Sequence, residues 1–138
     1  MSDAKISGLN HVTLSVTDLD RSVTFYCEVL GCALRARWGE GAYLEAGPLW
    51  LCLSVDTTAR PAERPDYTHF AFDVAADHFE ALSDRVRAHA TLWKQNKSEG
   101  ASLYFLDPDG HRMELHVGSL ASRLDAYRAN PSSGVTIF

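Results

Sequence analysis

Two histidines and one glutamate are the residues of this chain whose types and placement allow joint chemistry. His11 lies in NHVTLSV (10–16), His69 in THFAFDV (68–74) and Glu114 in RMELHV (112–117). Side chains of a strand alternate between its two faces, so residues two apart share one. His11, Thr13 and Ser15 then oppose Val12, Leu14 and Val16, and His69, Ala71 and Asp73 oppose Phe70, Phe72 and Val74. Arg112, Glu114 and His116 oppose Met113, Leu115 and Val117, and in 49–55 Trp50, Cys52 and Ser54 oppose Leu49, Leu51 and Leu53. Two imidazoles and one carboxylate, with positions left vacant for a substrate, suit a borderline divalent metal such as Mn²⁺, Fe²⁺, Co²⁺ or Zn²⁺ acting as a Lewis acid. Singly, a strand histidine is more often a hydrogen-bonded structural residue, and a glutamate more often a solvated charge.

Their joint weight comes from the elements that must position them. Period-two alternation predicts a strand over 10–16. Thr17 opens a helix, with Asp20 as its capping partner, and Leu19, Val23, Tyr26 and Leu30 form its apolar stripe before Gly31 stops it. Strands follow at Ala33–Arg37, Ala42–Glu45 and Leu49–Val55, broken by Gly39/Gly41 and Gly47-Pro48. Residues 56–66, DTTARPAERPD, read as a connecting loop. The pattern then begins again. A strand over Tyr67–Val74 leads to a helix carrying Phe79, Leu82 and Val86, then to strands at Thr91–Trp93, Ser102–Leu106 and Arg112–Val117. The last two are separated by the Asp107-Pro108-Asp109-Gly110 turn. A final helix, Leu120–Arg128, starts at Ser119 with Leu120, Leu124 and Tyr127 on its apolar side.

His11 and His69 each lie five residues before the valine that ends their strand, and Leu51-Cys52-Leu53 lines up with Met113-Glu114-Leu115. The reading is a single α+β domain over 1–138 made of two repeated β-α-β-β-β modules, 8–55 and 67–118. The 56–66 loop joins them and a C-terminal helix and tail occupy 119–138. Such a module needs a partner module to bury its sheet face. If the helices cover the apolar faces, the polar faces line a concave cavity. A solvated face would give the same alternation, although Trp50 and Cys52 are poor choices for open solvent.

Composition narrows the classes. Thirteen basic against eighteen acidic residues give a net charge of −5, which disfavours gripping nucleic acid through its phosphates. No apolar run is long enough to span a bilayer, and the N-terminus lacks an export signal, so no membrane association is expected. Cys27, Cys32 and Cys52 are an odd number without metal-knuckle spacing, and read as reduced thiols of a cytoplasmic protein.

Three segments, GLNHVTLSV, YTHFAFDV and WKQNKSEGASLYFLDPDGHRMELHVGSL, resemble the fosfomycin–glutathione transferases of the vicinal oxygen chelate superfamily, over residues 8 to 128 or so. The resemblance implies Mn²⁺ on His11, His69 and Glu114. It also implies a domain-swapped homodimer with a cupped mixed sheet, in which module one of one chain pairs with module two of the other. K⁺ would be held by the Asn96–Ser102 loop through Asn96, Ser98, Gly100 and Ser102. Lys94, Ser98, Tyr104 and Arg123 match residues on the phosphonate of fosfomycin, Thr13 the residue beside its epoxide oxygen, and Trp50 and Cys52 walls of its pocket. Tyr43 matches a residue near the thiol, and Trp38, Ser54 and Lys97 line a channel for the co-substrate glutathione. Thr13, Tyr43, Lys94 and Arg123 are thereby the catalytic candidates. Glu40 departs from the family's amide at the channel mouth, and Asn130–Gly134 lacks its tyrosine.

The implied activity is a metal-dependent opening of the fosfomycin epoxide by glutathione, which inactivates the antibiotic. The alternatives are a resistance enzyme using another thiol or water, a glyoxalase, an extradiol dioxygenase, and a metal-free drug-binding module. A glyoxalase would want a fourth protein ligand where Cys52 stands. A dioxygenase would use the same trio with iron, and a binding module would not need the trio.

Overall fold

The computed structural model describes residues 2–138, so Met1, the first residue of the expected 1–138 domain, lies outside them. The chain divides into two compact units, Met1–Pro61 and Ala62–Phe138, and the division falls inside the 56–66 loop.

In the first unit β1 (His11–Val16), α1 (Leu19–Thr24), β2 (Ala33–Trp38), β3 (Gly41–Ala46) and β4 (Leu49–Val55) follow in order. Their sheet runs β1-β4-β3-β2, with β1 parallel to β4 and the other pairs antiparallel. The apolar face is buried through Leu14, Val16, Leu44, Leu51 and Leu53, against Val23, Tyr26 and Val29 of the helical segment. The second unit repeats the plan with β5 (Phe70–Asp73), α2 (Ala76–His89), β6 (Leu92–Lys94), β7 (Ala101–Leu106), β8 (Arg112–Val117) and the added α3 (Leu120–Arg128). Its sheet runs β5-β8-β7-β6, again with the first and last strands parallel. Leu103, Phe105, Met113 and Leu115 are its buried face, with Val86 of α2 buried among the core residues.

The pairing register shows the duplication more sharply than the sequence does. Cys52 pairs with Thr13 on one side and Tyr43 on the other, and Glu114 pairs with Ala71 and Tyr104 in the same way. Each outer strand carries its irregularity at the same place, between Leu34 and Ala36 and between Leu92 and Lys94.

Four local expectations change. The cap of α1 is Asp18, whose carboxylate accepts from Arg21 N at 3.0 Å, while the Thr17 hydroxyl accepts from the Arg21 guanidinium and Asp20 pairs with Arg37. The helix then widens into a π turn over 25–29, where Leu30 N donates to Phe25 O at 3.2 Å. That extra residue per turn shifts the buried stripe to Phe25, Tyr26 and Val29, leaving Leu30 half-buried. The fifth strand is shorter than Tyr67–Val74, because the Asp66 carboxylate accepts from Thr68 N and turns the chain there. In α3 Ser119 and Ser122 cap reciprocally, but Leu120 is 74% exposed, although it shares the face of the half-buried Leu124 and Tyr127.

Candidate metal centre and its surroundings

His69 stands at the mouth of β5 and Glu114 in the middle of β8. The Nδ1 of His69 is 2.9 Å from the Tyr67 carbonyl, which only accepts, so that nitrogen carries the hydrogen. Nε2 then faces Glu114 Oε1 at 3.1 Å. In the neutral imidazole this sets a lone pair against a carboxylate oxygen, and only a cation, proton or metal, reconciles the two. The other carboxylate oxygen accepts from Ser102 Oγ at 2.6 Å. Glu114 is 6% exposed, so its charge is costly unless such a cation is near. A histidine that gives one ring hydrogen to a carbonyl and aims the other nitrogen at a carboxylate oxygen is arranged as metal ligands are. This donor set fits a divalent metal.

His11 belongs to the first unit and carries the same device. Its Nδ1 is 2.8 Å from Asn10 Oδ1, which leaves Nε2 as the acceptor, and its ring lies on Trp50 at 4.3 Å between centroids. Among the described residues no three His, Cys, Asp or Glu side chains are grouped as a metal cage.

Lys94 lies one strand beyond Tyr104 in the Glu114–Tyr104–Lys94 row. Its ammonium donates to the Tyr67 hydroxyl and lies 4.7 and 4.9 Å from the Tyr67 and Tyr104 ring centres. The Tyr67 hydrogen bond raises the lysine pKa above its ordinary value. Trp93 packs edge-on against His69, Tyr67 and Tyr104, and Arg112 lies over its other side at 4.9 Å. Tyr67, Trp93 and His116 are absent from the sequence-derived set. The signal for two of them was the period of two, since Tyr67 precedes His69 by two and His116 follows Glu114 by two.

The 95–100 segment closes on itself. Asn96 Oδ1 accepts from the Ser98 amide and hydroxyl at 3.0 and 2.9 Å, and Asn96 Nδ2 donates to Gly100 O at 2.8 Å. Arg123 of α3 lies on this loop, with Nε 3.3 Å from Glu99 Oε1 and an NH2 group 3.5 Å from Ser98 Oγ. Ser98 and Arg123 thus meet, as do Lys94 and Tyr104. Ser102 turns its hydroxyl towards Glu114 and His116, and Lys97 is exposed.

In the first unit Trp38, Tyr43, Trp50 and His11 form a row of rings, at 4.8, 5.2 and 4.3 Å between successive centres. Gly41 pairs with Trp38 on one side and Ser54 on the other, and a Cβ there would run into the Trp38 ring and the Leu53 carbonyl. Thr13 and Tyr43 flank Cys52, and Glu40 sits in the turn just before Gly41. The matched tyrosines differ: Tyr43 is 38% exposed and Tyr104 4%.

Duplicated β-α-β-β-β units with a histidine leading each module and a glutamate in the last strand define a class. Residues 8–115 match the family model of the Glyoxalase/Bleomycin resistance protein/Dioxygenase superfamily, and the chain belongs to it. Within that class it is 59% identical over 133 residues to the glutathione transferase FosA of Serratia marcescens, covering 94% of each chain. It is 35% identical over 128 residues to the metallothiol transferase FosB of Lysinibacillus sphaericus, covering 89% of this chain and 91% of that one. A glutamate-to-glutamine variant of the fosfomycin resistance protein FosX from Listeria monocytogenes superposes with a TM-score of 0.76 at 27% identity, over 87% of this chain and 99% of that one. That crystal structure contains Mn(II) and 1S,2S-dihydroxypropylphosphonic acid.

Proposed function

We propose that the chain is a Mn²⁺- and K⁺-dependent transferase that inactivates fosfomycin by adding glutathione to its epoxide. The observation that carries this reading is the His69 Nε2–Glu114 Oε1 pair, two electron-rich atoms 3.1 Å apart beside the Lys94 ammonium and its two tyrosines. The 59% identity to a glutathione transferase and the Mn(II) in the Listeria structure support it. In a domain-swapped homodimer His11 of the partner subunit completes the ligand set, and the same subunit brings Thr13, Tyr43, Trp50 and Cys52.

Mn²⁺ held by these residues would supply Lewis acidity for opening the epoxide. The chain's own residues do the rest. Lys94 and Arg123 take the phosphonate charge, the lysine as a compact ammonium and the arginine as a fork, with Ser98 and Tyr104 donating hydroxyls. This lowers the repulsion felt by an incoming thiolate. The thiolate sulfur forms its bond to one ring carbon as that carbon's C–O bond breaks; the oxygen stays on the neighbouring carbon as an alkoxide and becomes a hydroxyl by taking a proton from solvent. Thr13 lies beside that oxygen, and Tyr43 steadies the thiolate. Trp38, Ser54 and Lys97 line the glutathione path. The Asn96–Ser102 loop offers oxygens from an amide, hydroxyls and a carbonyl, with Glu99 adding charge, and this donor chemistry suits K⁺. The use of glutathione and the free thiols of Cys27, Cys32 and Cys52 support a cytoplasmic location; among the described residues no helix is long and apolar enough to cross a membrane.

Glu40 favours a second reading, in which another thiol replaces the anionic tripeptide. The deciding experiment measures conjugate from fosfomycin with glutathione and with cysteine, in Mn²⁺ and K⁺, then after chelation and with Na⁺ for K⁺. Glutathione conjugate that disappears on chelation and falls in Na⁺ is the expected result. A cysteine conjugate alone would transfer the role to the second reading, and no conjugate with any thiol would overturn both.

A further inference from the structure

The geometry points to His116 as a positioning residue that, through Ser102, orients the carboxylate of Glu114; this rests on the metal centre proposed above. Ser102 Oγ is 2.6 Å from Glu114 Oε2 and 2.7 Å from His116 Nδ1. A serine has one hydrogen, and the carboxylate can only accept, so the hydroxyl donates to Glu114. Nδ1 of His116 must therefore donate to Ser102. The result is a one-way chain, His116 N–H to Ser102 O–H to Glu114 Oε2. It engages one carboxylate oxygen and leaves Oε1 as the one turned to His69.

The slot for the imidazole is built. A Cβ on Gly100 would come 2.9 Å from His116 Cε1, and one on Gly118 would come 2.7 Å from Nε2. Both glycines hold positive φ, +82° and +147°, a conformation side chains rarely adopt. Gly100 ends the Asn96–Ser98 loop, and Gly118 precedes the cap of α3, the helix that carries Arg123. The ring thus sits where loop, helix and ligand strand converge. His116 Nδ1 is also 3.5 Å from Glu114 Oε2, but its one hydrogen goes to Ser102 Oγ at 2.7 Å, so its effect runs through Ser102. Outer partners of metal ligands hold ligand orientation, and losing one lowers metal affinity about 10- to 100-fold.

The test is Mn²⁺ affinity of the full-length, metal-freed protein, read by the EPR signal of free Mn²⁺. His116→Leu, which fills the slot but donates nothing, is expected to weaken binding at least about tenfold. His116→Asn, whose side-chain amide places a donor near the Nδ1 position, should return to within about threefold of wild type. In a Ser102→Ala background His116→Leu should cost nothing further, because the chain is already cut. A purely structural role would show the same loss with or without Ser102. Wild-type affinity in His116→Leu, or an equal loss in both backgrounds, would overturn the relay while leaving the metal centre standing. A wild-type protein that binds no Mn²⁺ would overturn the metal centre, and the relay with it.

Discussion

Replacing Glu114 by glutamine separates the charge of the ligand from its shape. The amide oxygen keeps the bond from Ser102 Oγ, which turns the NH₂ group towards His69 Nε2, 3.1 Å away in the parent. An N–H then meets the lone pair that the carboxylate oxygen opposed. The metal-free protein should lose no stability, while the metal finds a donor where its oxygen ligand stood. Because an outer partner is worth up to about 100-fold in affinity, losing the ligand itself should cost at least about 100-fold, or about 2.7 kcal/mol. With Mn²⁺ at about 100 times the wild-type Kd, binding stabilises the parent by about 2.7 kcal/mol and the variant by about 0.4 kcal/mol. At an unfolding entropy near 2.1 cal/mol/K per residue, those values become Tm increments of about 9 °C and about 1.5 °C for a chain of this length. Thermal melts with and without Mn²⁺ measure both. An equal increment in the two proteins would refute Glu114 as a ligand. A metal-free variant melting more than about 5 °C below the parent would refute the opposed-lone-pair geometry.

Four further outcomes are expected. Asn96→Ala removes the amide that holds Ser98 and Gly100 together, so K⁺ stimulation of conjugate formation should disappear while Mn²⁺ affinity stays within about threefold, as measured by turnover in K⁺ against Na⁺. Gly110→Ala forces a Cβ into the Ala62 carbonyl at φ +83° and should cost about 3 kcal/mol, read from the urea midpoint. Burial, with Cys27 beside it, pushes the Cys32 thiol from 9.0 up to about 12, so iodoacetamide at pH 8 should label it far more slowly in the folded protein than in urea. The same shift makes stability fall as pH rises from 9.0 towards about 12, since the unfolded chain releases that proton first.

Much of the architecture was legible because it rests on local rules. Strict alternation located β4 and β8 to the residue, and Ser119 located the start of α3, since a strand's faces and a helix cap are decided within a few residues. The π turn was not legible, because every residue of FYCEV tolerates an ordinary helix. The shortening of β5 depended on Asp66 choosing the Thr68 amide as its partner.

The candidate site divides along the same line. Residue types, period two and the repeat singled out His11, His69 and Glu114 and suggested the chemistry of a divalent metal. Family motifs added Lys94, Ser98, Tyr104 and Arg123. Which nitrogen of His69 is free, that Glu114 is buried, and that Ser102 and His116 bind its far oxygen were decided by tertiary structure alone. Those properties depend on distances between side chains from separate strands and on the exclusion of water around them. Periodicity tells which face a side chain occupies; only the folded sheet determines what stands 3 Å away from it.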